Sequence, residues 1–103
     1  MALKKGAIVS VYDKEGVEVF ARCLINIGIQ IISTGGTAKY LKVNSIQCTE
    51  VTDFTGFPEL LNGRVKTLHP KIHCGILARR ENENDIAVLK KFEIPQIDYV
   101  AIT

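Results

Sequence analysis

Residues 7–37, AIVSVYDKEGVEVFARCLINIGIQIISTGGT, decide the fold. Ala7 to Val11 is short and β-rich, Val17, Phe20, Ala21, Leu24 and Ile27 recur at helical spacing, and Ile29 to Ser33 is a second short apolar run. The order is strand, helix, strand, with Asp13 predicted as the helix N-cap and Gly28 as its C-cap. Thr34-Gly35-Gly36-Thr37 reads as the next turn, followed by a helix through Ala38, Tyr40, Leu41 and Val43 that Asn44 ends. Cys48 to Thr52 reads as a third strand. Strands alternating with helices at this spacing predict an α/β fold, a mainly parallel sheet flanked by helices.

Beyond it, residues 53–58 form a turn-rich break, and Pro58 is placed to start a short helix carrying Glu59, Leu60 and Leu61 before a tight Asn62-Gly63 turn. His69-Pro70 opens a further helix through Ile72, Ile76 and Leu77, and residues 85–92 another, with Ile86, Leu89 and Phe92 facing inward. Pro95 stops it. Residues 97–103 read as a buried strand.

The chain has 103 residues, 47% of them hydrophobic, which fits one globular domain with a single core. No apolar run approaches the roughly 20 residues that span a bilayer, and the N-terminus has no secretory signal pattern, so the expected location is the cytoplasm with no membrane partner. The three cysteines, Cys23, Cys48 and Cys74, are too widely spaced for a disulfide framework or a paired zinc site. A net charge of +2 does not suggest nucleic acid. Its distribution is uneven: Arg64, Lys66, Lys71, Arg79 and Arg80 fall between residues 60 and 80 with no acid among them, a stretch suited to an anion.

Ligands of open α/β sheets bind beyond the carboxyl ends of the strands. Three loops are expected there: Ser10 to Lys14, Thr34 to Thr37, and Arg64 to Thr67. Thr34-Gly35-Gly36-Thr37 combines two hydroxyls, two glycines that let backbone N–H groups approach a ligand, and a helix N-terminus, which suits a phosphate. An ordinary strand-to-helix turn has the same composition, and both readings stand on the residues alone. Neither a P-loop nor a dinucleotide fingerprint is present. Lys14 could add a charge beside that phosphate, although a solvated lysine in the first helical turn is the slightly more common role. Gly63-Arg64-Val65-Lys66-Thr67-Leu68-His69-Pro70-Lys71 adds an arginine fork, a lysine, a hydroxyl and a histidine next to a glycine turn. His69 and His73 are four residues apart, but without a third ligand they read as structural, and no metal is expected.

Ser10-Val-Tyr-Asp-Lys14, Ser33-Thr-Gly-Gly-Thr-Ala38, Asp53-Phe-Thr-Gly-Phe-Pro-Glu59 and the residue 63–71 string resemble, in order and spacing, the N-terminal IMP cyclohydrolase domain of the bifunctional purine biosynthesis enzymes. The resemblance covers essentially the whole chain. It implies a Rossmann-like, methylglyoxal-synthase-like domain over residues 1–103. It also implies that the chain stops short of the family's C-terminal end, where an aspartate and a lysine for proton transfer follow, and lacks the transformylase domain that uses 10-formyltetrahydrofolate. The implied reaction closes 5-formamidoimidazole-4-carboxamide ribotide to IMP plus water, with no cofactor, on a homodimer. By the same resemblance Thr34, Gly35, Gly36 and Thr37 take the substrate phosphate with Lys14 close by. Ser10 and Tyr12 line the nucleotide pocket, Tyr12 standing where serine is common. Arg64, Lys66 and Thr67 flank the reacting groups, and Lys66 is the catalytic choice for charge stabilisation at the formyl oxygen. The alternative is a regulatory nucleotide- or phosphate-binding module of the same fold, as in carbamoyl phosphate synthetase. Methylglyoxal synthase is disfavoured because its pattern of catalytic aspartates is missing.

Overall fold

The fold is that of a computed structural model, which describes residues 4–58 and 69–102. Strand β1 (Lys5–Ser10), helix α1 (Val17–Asn26), strand β2 (Ile29–Ser33), helix α2 (Gly35–Val43) and strand β3 (Thr49–Glu50) follow in order. Then come helices α3 (Val51–Thr55), α4 (Pro70–Leu77) and α5 (Glu83–Lys91), and strand β4 (Gln96–Ile102). The described strands form one parallel sheet in the order β3-β2-β1-β4. The expected class, a parallel sheet flanked by helices, is therefore what the chain adopts. The predicted short helix from Pro58 and the Asn62-Gly63 turn fall at residues 58–63, of which 59–63 lie outside the described residues.

Alternation along the central strands separates two cores. Ala7, Val9, Ile29 and Ile31 face Val17, Ala21 and Leu24 of α1 and Leu41 of α2. Ile8 and Ile32 point the other way, to Val51 of α3, Ile72 of α4 and Ile97. Covering both faces explains the near-continuous apolar runs in β1 and β2. Burying each of these branched side chains contributes about 1.5–3 kcal/mol against the entropy of ordering the chain. Across the first core the Tyr40 hydroxyl donates to Glu18 Oε2 at 2.6 Å, joining α2 to α1. That bond to a carboxylate, with burial adding to it, raises the phenol above its ordinary pKa.

Several expectations need correction. Asp13 does not cap α1. Its carboxylate accepts from the Glu15 N–H at 3.0 Å in a local turn, and the helix starts after Gly16, whose φ of +78° suits glycine. In α1 only Val17, Ala21 and Leu24 are buried, while Phe20 and Ile27 flank that stripe and are exposed. β3 is two residues long, because Val51 turns into α3 and buries its side chain in the second core from there. Phe92 ends α5 as its C-cap and is exposed, and that helix begins at Glu83 because Asn82 caps it, accepting from the Asp85 N–H at 2.9 Å. β4 lies at the sheet edge, so most of it is partly or fully exposed and only Ile97 is buried.

The turn between α4 and α5 is held by one acid. Asp85 accepts from the Arg79 backbone N–H (2.9 Å), Nε (2.9 Å) and Nη2 (3.1 Å). These bonds hold the Asp85 carboxyl down at about 2. A carboxyl whose folded pKa is depressed stabilises the fold fully above its unfolded value and loses that contribution as pH falls through the folded one. The turn should therefore persist at pH 4 and open as pH falls towards 2. A carbon-detected NMR titration of Asp85 should show this midpoint, and Arg79→Ala, which removes the guanidinium but keeps the backbone donor, should raise it part of the way to the ordinary carboxylate range.

α4 approaches the sheet at Gly75. A methyl group there would stand 2.6 Å from the Pro95 carbonyl oxygen and 2.8 Å from Ile97 Cγ1. The obstruction includes backbone, so overpacking of about 1–3 kcal/mol outweighs the gain of up to about 1 kcal/mol from better helix propensity. Gly75→Ala should lower Tm by roughly 4–8 °C per kcal/mol of net destabilisation. An unchanged thermal melt would show that α4 can withdraw from β4 without cost.

Candidate functional site

β1 pairs with β2 on one side and β4 on the other, so the chain runs outward from β1 through β2 to β3 and then crosses back to the far side of β1 for β4. Such a switch point leaves a crevice at the sheet edge where ligands of these folds bind. Ser10 ends β1 there, opposite Ile102 of β4, and Ser33 ends β2, opposite Val9 and Glu50.

Two hydroxyl ties hold the first two loops together at this edge. Ser10 Oγ and Thr34 Oγ1 are 2.8 Å apart and share a hydrogen bond. Thr37 Oγ1 accepts from the Val11 N–H and donates to the Val11 carbonyl, both at 3.1 Å. Thr34 and Thr37 are both buried, so their hydroxyls build the scaffold instead of facing a ligand. What they hold in place is the backbone between them. The expected turn at residues 34–37 is in fact the N-cap and first turn of α2, with Thr34 extended at the N-cap. The first helical bond runs from the Ala38 N–H to the Thr34 carbonyl at 2.7 Å. The N–H groups of Gly35, Gly36 and Thr37 precede that ladder at the positive end of the helix, and Gly35 and Gly36 are exposed.

Glycine in a helix turn sacrifices stability, so its presence needs a reason. Neither Gly35 nor Gly36 has the positive φ found at Gly16, Gly28 and Gly56. Among the described residues, a methyl group on Gly36 would meet nothing within 4 Å outside its chain neighbours and its own helix backbone. Backbone conformation and contacts among the described residues therefore do not explain Gly36, whereas close approach of an anion to the N–H groups would.

The other sequence-predicted residues divide. Lys14 lies in the same loop, but its ammonium turns back to donate to the carbonyls of Val11 and, at 3.2 Å, Tyr12. These carbonyls take two of the three ammonium donors. Tyr12 is 90% exposed. Arg64, Lys66 and Thr67 lie outside the described residues. Of the basic stretch, Arg79 and Arg80 are paired with Asp85 and Asp98, and Lys71 lies 5.9 Å from the centre of the Phe54 ring. His69 is the N-cap of α4, its Nδ1 accepting from the Lys71 N–H at 3.1 Å, which is the structural role expected of it. Among the described residues no three His, Cys, Asp or Glu side chains gather around a position that could hold a metal ion. No described helix is long and apolar enough to cross a membrane.

Two participants were not assigned from sequence. Val11 acts through its backbone, which no side-chain pattern reveals. Ser33 is fully buried with its hydroxyl unpartnered, directly before the Thr34 N-cap. Its signal was a polar residue directly after the apolar pair Ile31-Ile32 at the end of β2. A groove of about 660 Å³ lies at the opposite, amino edge of the sheet, lined by Lys5, Ile27, Gly28, Gln47 and Cys48 among others. It presents the carboxyl end of α1 and no helix N-terminus, so the glycine turn remains the better anion site.

The family model described as MGS-like domain matches residues 16–103. The bifunctional purine biosynthesis protein PurH of Fusobacterium nucleatum is 56% identical over 100 residues, covering 97% of this chain and 20% of that protein. PurH of Clostridium botulinum is 53% identical over the same shares. A solved structure described as ForH superposes with a TM-score of 0.83 at 37% identity, covering 95% of this chain and 50% of that one. The chain thus spans about 20% of the length of the curated relatives it matches. With its parallel sheet, its glycine turn and a family match from Gly16 onward, the chain belongs to the MGS-like domain family.

Proposed function

We propose that this domain is the IMP cyclohydrolase part of a bifunctional purine biosynthesis enzyme, closing 5-formamidoimidazole-4-carboxamide ribotide to IMP with loss of water. The observation that carries the reading is Gly36 in the first turn of α2, where neither φ nor contact with the described residues asks for glycine. The exposed Gly35 and Gly36 N–H groups, with that of Thr37, are suited to the ribose 5′-phosphate, and Ser10 and Thr34 hold the turn in place. The name and 56% identity of the PurH relative support the choice of reaction.

In the ring closure the carboxamide nitrogen attacks the formyl carbon, a C–N bond forms, and the formyl oxygen leaves as water after proton transfer. No atom changes oxidation state overall, so the reading assigns no redox cofactor, and it assigns no metal. The demands are positioning, a cation for the developing oxyanion, and proton transfer. Lys66 takes the oxyanion role, Arg64 and Thr67 flank the base, Tyr12 borders the nucleotide, and Lys14 turns from its loop carbonyls to the phosphate. Use of 10-formyltetrahydrofolate belongs to the transformylase part of the longer enzyme. A cytoplasmic homodimer, with neither nucleic acid nor membrane as a partner, completes the proposal.

Isothermal titration with IMP and with inosine tests the phosphate site. IMP should bind and inosine should not. Gly36→Ala should leave the fold as stable or up to about 1 kcal/mol more stable. The same variant should weaken IMP about tenfold, the loss expected when a charge-assisted hydrogen bond is obstructed. Equal IMP affinity in the variant would move the phosphate away from α2. In the full-length enzyme Lys66→Ala should lower kcat more than it raises KM, because its charge acts mainly in the transition state. An unchanged kcat removes Lys66 from that role, and phosphate-dependent binding without turnover would favour the regulatory alternative.

A further inference from the structure

β4 reads Gln-Ile-Asp-Tyr-Val-Ala-Ile, apolar at Ile97, Tyr99, Val100, Ala101 and Ile102, so no alternation tells one face from the other. Strand register is normally specified by such alternation or by a tight turn. β4 has neither, since it is reached from α5 and not through a hairpin. Burial does not discriminate either: Tyr99 is 40% exposed on one face, and Val100 and Ile102 are 51% and 66% exposed on the other. Beyond the buried Ile97, a slip by one residue would exchange these faces at little cost.

The observed register contains an irregularity. Gly6 lies opposite Ile97 but Ala7 lies opposite Tyr99, so β4 advances by one extra residue, Asp98. Bulges of this kind redirect every side chain beyond them. Here the bulge sets Val100 opposite Ile8, Ala101 opposite Val9 and Ile102 opposite Ser10. One side chain spans it. Arg80 Nη1 pairs with Asp98 Oδ1, and Arg80 Nη2 donates to the Ile97 carbonyl at 3.0 Å. The planar fork thus engages both the residue before the extra one and the extra residue itself. Arg80 is in turn carried by the turn that Arg79, Asp85 and Asn82 fix.

We propose that Arg80 and Asp98 form the register lock of β4. They are positioning residues, and they decide which part of the carboxyl half of β4 lies beside Ser10 at the sheet edge. Without the pair, Asp98 can move opposite Ala7 and carry Tyr99 to Ile102 to the opposite faces. The inference does not depend on the substrate of the site.

Cross-strand NOEs and amide exchange in the labelled chain test it, with Arg80→Gln, Asp98→Asn and the charge-swapped double variant Arg80→Asp with Asp98→Arg. Each folded single variant should show a second set of NOEs placing residue 98 opposite Ala7. Exchange of the β4 amides should quicken by about tenfold, as expected for loss of a charged hydrogen bond. The β1–β2 NOEs, such as Ala7 to Ile31, should not change, which separates loss of register from general loosening. The swapped pair should recover part of the native pattern. Either single variant suffices if the other fails to fold. Native NOEs and native exchange in a folded single variant would overturn the proposal.

Discussion

β1 is paired along both edges and covered on both faces, and the rest of the molecule is arranged around that constraint. Its apolar residues point alternately into two separate cores, so helices are needed on each side. α1 and α2 supply one layer, and α3 and α4 the other. Because β2 and β4 flank β1 on opposite sides, the carboxyl end of β1 opens at a switch point, and Ser10 stands there. The position of the candidate site thus follows from the requirement that bury β1.

At that edge, scaffold and ligand surface use different parts of the same residues. The hydroxyls of Thr34 and Thr37 turn inward to Ser10 and Val11, satisfying buried polar groups that would otherwise destabilise the fold. The backbone N–H groups between them are left at the positive end of α2. The two glycines forgo some helix stability and keep that surface clear of side chains. A rigid frame around an uncovered backbone is an arrangement suited to a phosphate.

Charge counted along the chain differs from charge available at a site. Arg79 and Arg80 belong to the basic stretch of the sequence, yet the fold turns both towards acids, one closing the α4–α5 turn and the other spanning the β4 bulge. The first partner is 6 residues away, across a single turn, and the second is 18 away, so that pairing arises only when the turn meets β4. Lys14 likewise uses its ammonium on loop carbonyls, a local arrangement that depends on the path from β1 to Gly16.

The sequence by itself determined the alternation of strands and helices, the parallel α/β class, the glycines that follow β2 and the role of His69-Pro70 in starting α4. These depend on local periodicity, capping and glycine chemistry, which act over a few residues. Only the tertiary structure decided that Val51 joins a helix and not β3, that β4 is a half-exposed edge with a bulge, that Gly16 and not Asp13 starts α1, and that the threonine hydroxyls face inward. Each of those outcomes is a competition between local preference and contacts distant in sequence. The distant contacts prevail because burial and buried hydrogen bonds act on groups that only the folded chain brings together.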